Sequence, residues 1–341
     1  MKMKAAMVTD KEKVSIQQID RPMIKDDEVL IKTKTVGVCG SDLHLFRGTH
    51  PFRKPPAILG HEVAGRVVEI GKKVKNVKVG DRVTVEPQVG CGECEFCRQQ
   101  LVNLCTSKVV PGTAKWSGVF VEYFNAPEKT VYKLQDNVSY EMGTMVEPLA
   151  VAVHTLNRVT VPTKDCLVIL GAGTIGLLTL VVAKKMGYKT VVCTDTAAWN
   201  REMGLKCGAV TAVDPLTTDV VEVVKKLTGG RGADLAIIAA GARDILDQAA
   251  ACVRKRGEIG IVAMITEQIP FDSYHIVFNE QTVFGAMTYE TKDFKAAADL
   301  INGGLDLSAF ITQKMPLDDT QAALDVLSQK KENVVKVLVE L

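Results

Sequence analysis

At 341 residues the chain is too long for one ordinary hydrophobic core and divides into about two domains. Its 47% hydrophobic content is enough for large buried sheets. A net charge of +2, with Lys and Arg scattered among Asp and Glu, argues against a basic nucleic-acid-binding face, and 5% aromatics advertise no base-stacking platform.

The N-terminus, Met1-Lys2-Met3-Lys4, leads into a strand-like run and not a signal peptide. Nine cysteines without a secretory signal then point to a reducing compartment, the cytoplasm. Candidate strands follow at Val14–Ile19, Glu28–Val38, Val63–Ile70, Arg82–Glu86 and Val119–Asn125, with Gly- and Pro-rich connections and a turn at Gly80-Asp81. This part reads as an irregular β-barrel.

Two groups of metal-ligand residues lie within it. Cys91, Cys94, Cys97 and Cys105 have the spacing C-x2-C-x2-C-x7-C, and four thiolates this close can surround one zinc with no open position, the pattern of a structural site. Gly90 and Gly92 let the short loop fold back on itself. Two disulfides remain an alternative, as does an iron–sulfur run, although Thr106 stands where that motif carries Pro. The second group is more dispersed. Cys39 and His61 each end a strand-like segment, Glu62 follows, and Glu147-Pro148 sits where the pattern of the chain changes. Sulfur, imidazole and carboxylate together would leave one position open, as catalytic zinc requires, whereas a lone His is more often an ordinary core or surface residue.

From Glu147 to Gly285 apolar strands alternate with helices. The strands are Leu167–Leu170, Thr190–Thr194, Ala209–Val213, Ala233–Ala239, Gly257–Ala263 and Thr282–Gly285. The helices include Thr174–Met186, Val220–Leu227 and Ala242–Arg254. Such alternation implies a parallel sheet covered on both faces, in an α/β fold. Cys166 to Ala183 is uncharged and long enough to mimic a membrane span, but its glycines break it into strand, turn and buried helix.

That turn is Gly171-Ala172-Gly173-Thr174-Ile175-Gly176, a G-x-G-x-x-G between strand and helix. Gly171 permits the tight turn, Gly173 lets backbone approach a pyrophosphate, and Gly176 lets helix and strand pack closely, with Thr174 and Ile175 opening the helix. Asp195 ends the next strand, where a carboxylate accepts from the ribose hydroxyls of NAD and repels the 2′-phosphate of NADP. A helix-capping aspartate is the alternative. After Met287 come helices at Asp293–Ile301 and Asp318–Ser328 and a final strand, Val334–Val339.

Gly37-Val38-Cys39-Gly40-Ser41-Asp42-Leu43-His44, Gly60-His61-Glu62, Val79-Gly80-Asp81-Arg82-Val83, the cysteine loop and Glu147-Pro148-Leu149 occur in the order seen in the zinc-dependent medium-chain dehydrogenase/reductase superfamily. The resemblance covers essentially the whole chain, and Glu147-Pro148-Leu149 is similar to the sorbitol (polyol) dehydrogenase branch. It implies a GroES-like β-barrel catalytic domain, residues 1–148 and 287–341, and a Rossmann NAD-binding domain, residues 149–286. It implies two zinc ions per chain. Cys39, His61 and Glu62 would be direct ligands of the catalytic one, with Glu147 reaching it directly or through water. Cys91, Cys94, Cys97 and Cys105 would hold the structural one. Ser41 and His44 would carry the proton from the reacting oxygen toward solvent. The implied reaction is hydride transfer to NAD from a secondary alcohol of a polyol, sugar or vicinal diol. Threonine-type, butanediol-type and general secondary-alcohol dehydrogenases of the same superfamily are the alternatives. A small polar alcohol is the expected partner, in a homo-oligomer (dimer or tetramer) with no nucleic acid or membrane.

A zinc-ribbon protein that binds nucleic acid is opposed by the complete dinucleotide motif, and a zinc-free quinone reductase by the intact Cys39, His61 and Glu62. Three positions depart from the family pattern. Asn200, followed by Arg201, stands where the family usually has Arg. Thr288-Tyr289 replaces an Arg-Tyr pair near the substrate. Trp116 has no counterpart, and either lines the pocket or packs.

Overall fold

The computed structural model describes residues 1–50, 53–113, 115–329 and 333–341. The chain forms two compact units, Met1–Ala150 with Glu290–Leu341, and Val151–Tyr289.

The spine of the first unit is the strand Glu28–Val38. Val29, Leu30, Ile31, Val36 and Val38 are all buried, so apolar side chains leave it on both faces. It pairs antiparallel with Glu62–Ile70, Tyr123–Pro127 and Lys336–Glu340. Arg82–Val85, Val131–Lys133 and Ile311–Pro316 complete the seven-stranded sheet. Lys2–Asp10 lies between Lys13–Asp20 and Ala57–Ile58 in a separate three-stranded sheet. Leu45, Phe46, Phe120, Phe124 and the helix residues Ala323 and Leu324 share one core with both sheets.

The expected strand Val119–Asn125 begins only at Tyr123. Its first residues cross between sheets: Phe120 N donates to Leu59 O, Ala6 N to Phe120 O, and Glu122 N to Lys4 O. Hydrogen bonds shared among three partners satisfy the backbone without forming a ladder. Trp116 packs. It is 5% exposed, stacks on Phe124 with ring centroids 5.5 Å apart, and donates its indole N–H to Asn125 O at 2.8 Å.

The second unit is built on a six-stranded sheet. Its order is Thr211–Val213, Thr190–Thr194, Cys166–Leu170, Ala233–Ile238, Val253–Ile261, Thr282–Gly285, and every pairing is parallel. Chain order reverses beside Cys166–Leu170, the doubly wound arrangement in which a dinucleotide site lies at the switch point. Both central strands are buried at every residue. Asp234 is the charge among them. Burial opposes its ionisation, but Arg254, the Cys166 N–H, Thr163 and Arg231 hold the carboxyl down at about 2.

The uncharged stretch from Cys166 resolves into the strand Cys166–Leu170 and the helix Thr174–Lys185. No helix among the described residues is long and apolar enough to cross a membrane. The helix expected over Ala242–Arg254 is confined to Ile245–Cys252, because Val253 already pairs with Ala233 in the sheet. The helix Val146–Asn157 lacks a sequence signal of its own. Pro148 looks like a breaker, yet it occupies the first turn, where no intrahelical N–H bond is lost.

Candidate active site and metal centres

Cys39 caps the helix Gly40–Phe46, and Glu62 begins the strand Glu62–Ile70 that pairs with Glu28–Val38, with His61 immediately before it. This pairing brings one ligand atom each from Cys39, His61 and Glu62 within 4.8 Å of one another. Burial, followed by the Glu62 carboxylate, pushes the Cys39 thiol up to about 11. His61 Nδ1 is buried and makes no hydrogen bond; its nearest acidic oxygen is Asp42 Oδ1, 3.8 Å away. One sulfur, one imidazole and one carboxylate so placed fit a zinc ion that keeps a position open.

Asp42 and Lys336 are parts of this centre to which the sequence reading assigned no role. Asp42 is fully buried, and its Oδ2 accepts from Cys39 N at 3.0 Å while Oδ1 accepts from Gly60 N at 3.2 Å. One carboxylate therefore ties together the two segments that carry Cys39 and His61. An acidic residue three positions after a helix cap was the available signal. Lys336 is 2% exposed, forms an ion pair with Glu62, and donates to Val38 O at 3.1 Å. Burial disfavours its charge, but Glu62, Cys39 and Glu147 hold the ammonium above its usual value.

Ser41 and His44 lie three residues apart on the same short helix, hence on one face. His44 Nδ1 is 3.3 Å from Thr49 Oγ1, and burial, followed by Arg47, holds the imidazole below its usual value. Glu147 is buried in the first turn of Val146–Asn157, outside the 4.8 Å cluster.

The four loop cysteines also converge within 4.8 Å. All are free thiols, and Cys91 and Cys97 Sγ stand 3.9 Å apart, well beyond a disulfide bond. Backbone N–H groups point at the sulfurs: Cys94 N to Cys91 Sγ and Cys97 N to Cys94 Sγ, both 3.4 Å. The N–H groups of Glu93 and Cys94 draw the Cys91 thiol down to about 6, whereas Cys97, against the pull of the Gly92 N–H, is pushed up to about 11 by burial and the neighbouring thiols. A Cβ on Gly90 would lie 2.6 Å from Cys97 Sγ, so the loop closes only around glycine there.

In the second unit, Gly171 has φ +104°, and a Cβ on it would sit 2.5 Å from Ala240 Cβ. A Cβ on Gly176 would overlap the Gly171 carbonyl oxygen, whereas one on Gly173 would meet nothing within 4 Å. The turn is thus closed underneath and open where a pyrophosphate would lie, at the N-terminus of Thr174–Lys185, which suits a dinucleotide. Asp195 Oδ2 accepts from Ala172 N at 3.0 Å and Asn200 Nδ2 at 3.1 Å, and Oδ1 accepts from Ala197 N at 2.9 Å. Asp195 therefore links the glycine turn to the following loop, and the helix cap itself is Ala197. Arg201 donates to Asp195 O, Thr196 O and Asp214 Oδ2 at 2.8, 2.9 and 3.2 Å. Thr288 has φ +47°, unusual for a β-branched residue, and its buried hydroxyl makes no hydrogen bond.

Residues 25–136 match the alcohol dehydrogenase GroES-like domain family, and residues 174–303 match the zinc-binding dehydrogenase family. The chain is 35% identical to a sorbitol dehydrogenase from Bacillus subtilis over 342 residues, covering 99% of this chain and 97% of that one. Its structure is similar to that of 2R,3R-butanediol dehydrogenase from Bacillus subtilis, with TM-score 0.91, 33% identity and 99% of each chain covered. It is also similar to a structure from Sinorhizobium meliloti described as a zinc-binding dehydrogenase bound to NADP, with TM-score 0.91, 32% identity and 100% of each chain covered. With a glycine-turn Rossmann sheet, a GroES-like barrel and two converged ligand sets on one chain, the protein belongs to the zinc-dependent medium-chain dehydrogenase/reductase superfamily, on its sorbitol and polyol dehydrogenase-like branch.

Proposed function

We propose that this enzyme oxidises a secondary alcohol of a polyol, sugar or vicinal diol with NAD, at a zinc ion held by Cys39, His61 and Glu62. The observation that carries this reading is the convergence of those three donors within 4.8 Å of one another. Bound zinc supplies a Lewis acid that lowers the pKa of the alcohol, and the nicotinamide supplies the hydride acceptor. Asp42 holds the Cys39 and His61 segments in register. Ser41 and His44 form the exit route for the alcohol proton, with Thr49 orienting the imidazole. Glu147 is the further carboxylate of the centre, acting directly on the metal or through water.

The residues around Asp195 support NAD over NADP. An anionic carboxylate repels a 2′-phosphate, and Arg201, the cation close by, is already engaged by Asp214 and two carbonyls. The penalty for NADP is about 1–3 kcal/mol, roughly one to two decades in kcat/KM. A coupled assay over polyols, diols, sugar acids and amino alcohols, run with each cofactor, tests both parts. Turnover of a polyol or diol with NAD preferred is the expected result. Equal efficiency with both cofactors would remove the role of Asp195.

The loop of Cys91, Cys94, Cys97 and Cys105 is proposed as a closed structural zinc site. Cys94→Ser should cost one zinc per chain and about 3 kcal/mol of stability, roughly 6–12 °C in Tm. Elemental analysis and calorimetry read both, and an unchanged zinc content would contradict the assignment. A homo-oligomer, dimer or tetramer, is proposed from the free edge of Thr282–Gly285 and the exposed Tyr274, Val277 and Phe278. The cysteine usage supports a cytoplasmic setting.

A further inference from the structure

We propose that Lys336 is a positioning residue for the catalytic centre: by holding one oxygen of Glu62, it limits that carboxylate to a single oxygen for the metal and so keeps a coordination position open for substrate. The inference rests on the reading of Cys39, His61 and Glu62 as zinc ligands.

Three strands converge to make the device. Gly37 pairs directly with Glu62 on one side and with Leu338 on the other. A Cβ at position 37 would overlap Glu62 Oε2 and would lie 3.0 Å from Lys336 Cε. Oε2 therefore occupies the space left by the missing side chain, with the ammonium against it. The Lys336 and Glu62 side chains are 3% and 1% exposed, so water contributes almost nothing to either charge. The Val38 carbonyl fixes the ammonium from a second direction, at 3.1 Å. A buried pair of this kind adds little net stability over well-packed apolar residues, so stability alone does not account for it. Its geometric consequence is specific. With both oxygens free, a carboxylate can close on a cation in bidentate fashion. With Oε2 held over Gly37 by Lys336, Glu62 has one oxygen to offer.

The test is Lys336→Met in the full-length enzyme with cobalt in place of zinc. The visible spectrum of the catalytic site is taken as the difference from Cys39→Ser, and metal retention is followed against a chelator. Glu62, released from its cation, should raise the coordination number and weaken the cobalt bands. Metal should be retained about tenfold longer or more, while kcat falls at least about tenfold. Lys336→Arg should restore the wild-type spectrum. A purely structural lysine would instead give weaker retention, since loosening the site loosens its ligands. A folded Lys336→Met with the wild-type spectrum, or with retention unchanged or shortened, overturns the proposal. If Lys336→Met does not fold, Lys336→Gln, which keeps a donor toward Val38 O, is measured in its place. Failure of the underlying reading looks different: Cys39→Ser would then lose no metal ion.

Discussion

Cys39→Ser should lower kcat/KM by about 10³-fold or more and reduce the zinc content from two ions per chain to one. A Lewis-acid metal contributes several kcal/mol to transition-state stabilisation, and 4 kcal/mol corresponds to about three decades in rate. The fold should survive. The bond that fixes this corner runs from the Cys39 backbone N–H to Asp42, and a hydroxyl is a competent helix cap. What is lost is the thiolate. The neighbouring Glu62 and Lys336 remain paired, so no new unpaired charge is created. Circular dichroism should be unchanged while metal analysis and steady-state kinetics change together. A variant that keeps both zinc ions and more than about a tenth of the activity would remove Cys39 from the centre.

The second large effect concerns substrate choice. A vicinal diol should exceed a mono-alcohol of equal carbon count by up to ~10⁴-fold in kcat/KM, because a polar site rejects an analogue that leaves its own groups unpaired. Thr288 stands where the resemblance to the polyol branch leads one to expect an Arg, so the charged clamp expected there is lost. That favours compact diols over extended polyols. A diol to mono-alcohol ratio near one, or a preference for the mono-alcohol, would overturn the polyol-class assignment and leave a general secondary-alcohol dehydrogenase.

The parts legible in the sequence are those built within one or two turns of chain. The cysteine loop and the glycine turn are local, so spacing alone states which atoms can meet. The parallel sheet was equally legible, since strands buried at every residue leave unbroken apolar runs such as Cys166–Leu170. Other elements hid. Pro148 disguised the helix Val146–Asn157, and Val119–Glu122 looked like strand although its backbone bonds are shared among several segments.

The grouping of Cys39 with His61 and Glu62, proposed here as the catalytic ligand set, was suggested by resemblance to a family, and the structure brings the three within 4.8 Å; the surroundings were not legible. Asp42 acts through two backbone N–H groups, one of them 18 positions away. Lys336 reaches Val38 across 298 positions and meets Glu62 over a glycine on a third strand. Residue types and short spacings thus determined what chemistry this chain can perform. The register of three antiparallel strands, set by burial of their apolar faces, decided which charges stand beside the proposed metal ligands, and no local pattern encodes that register.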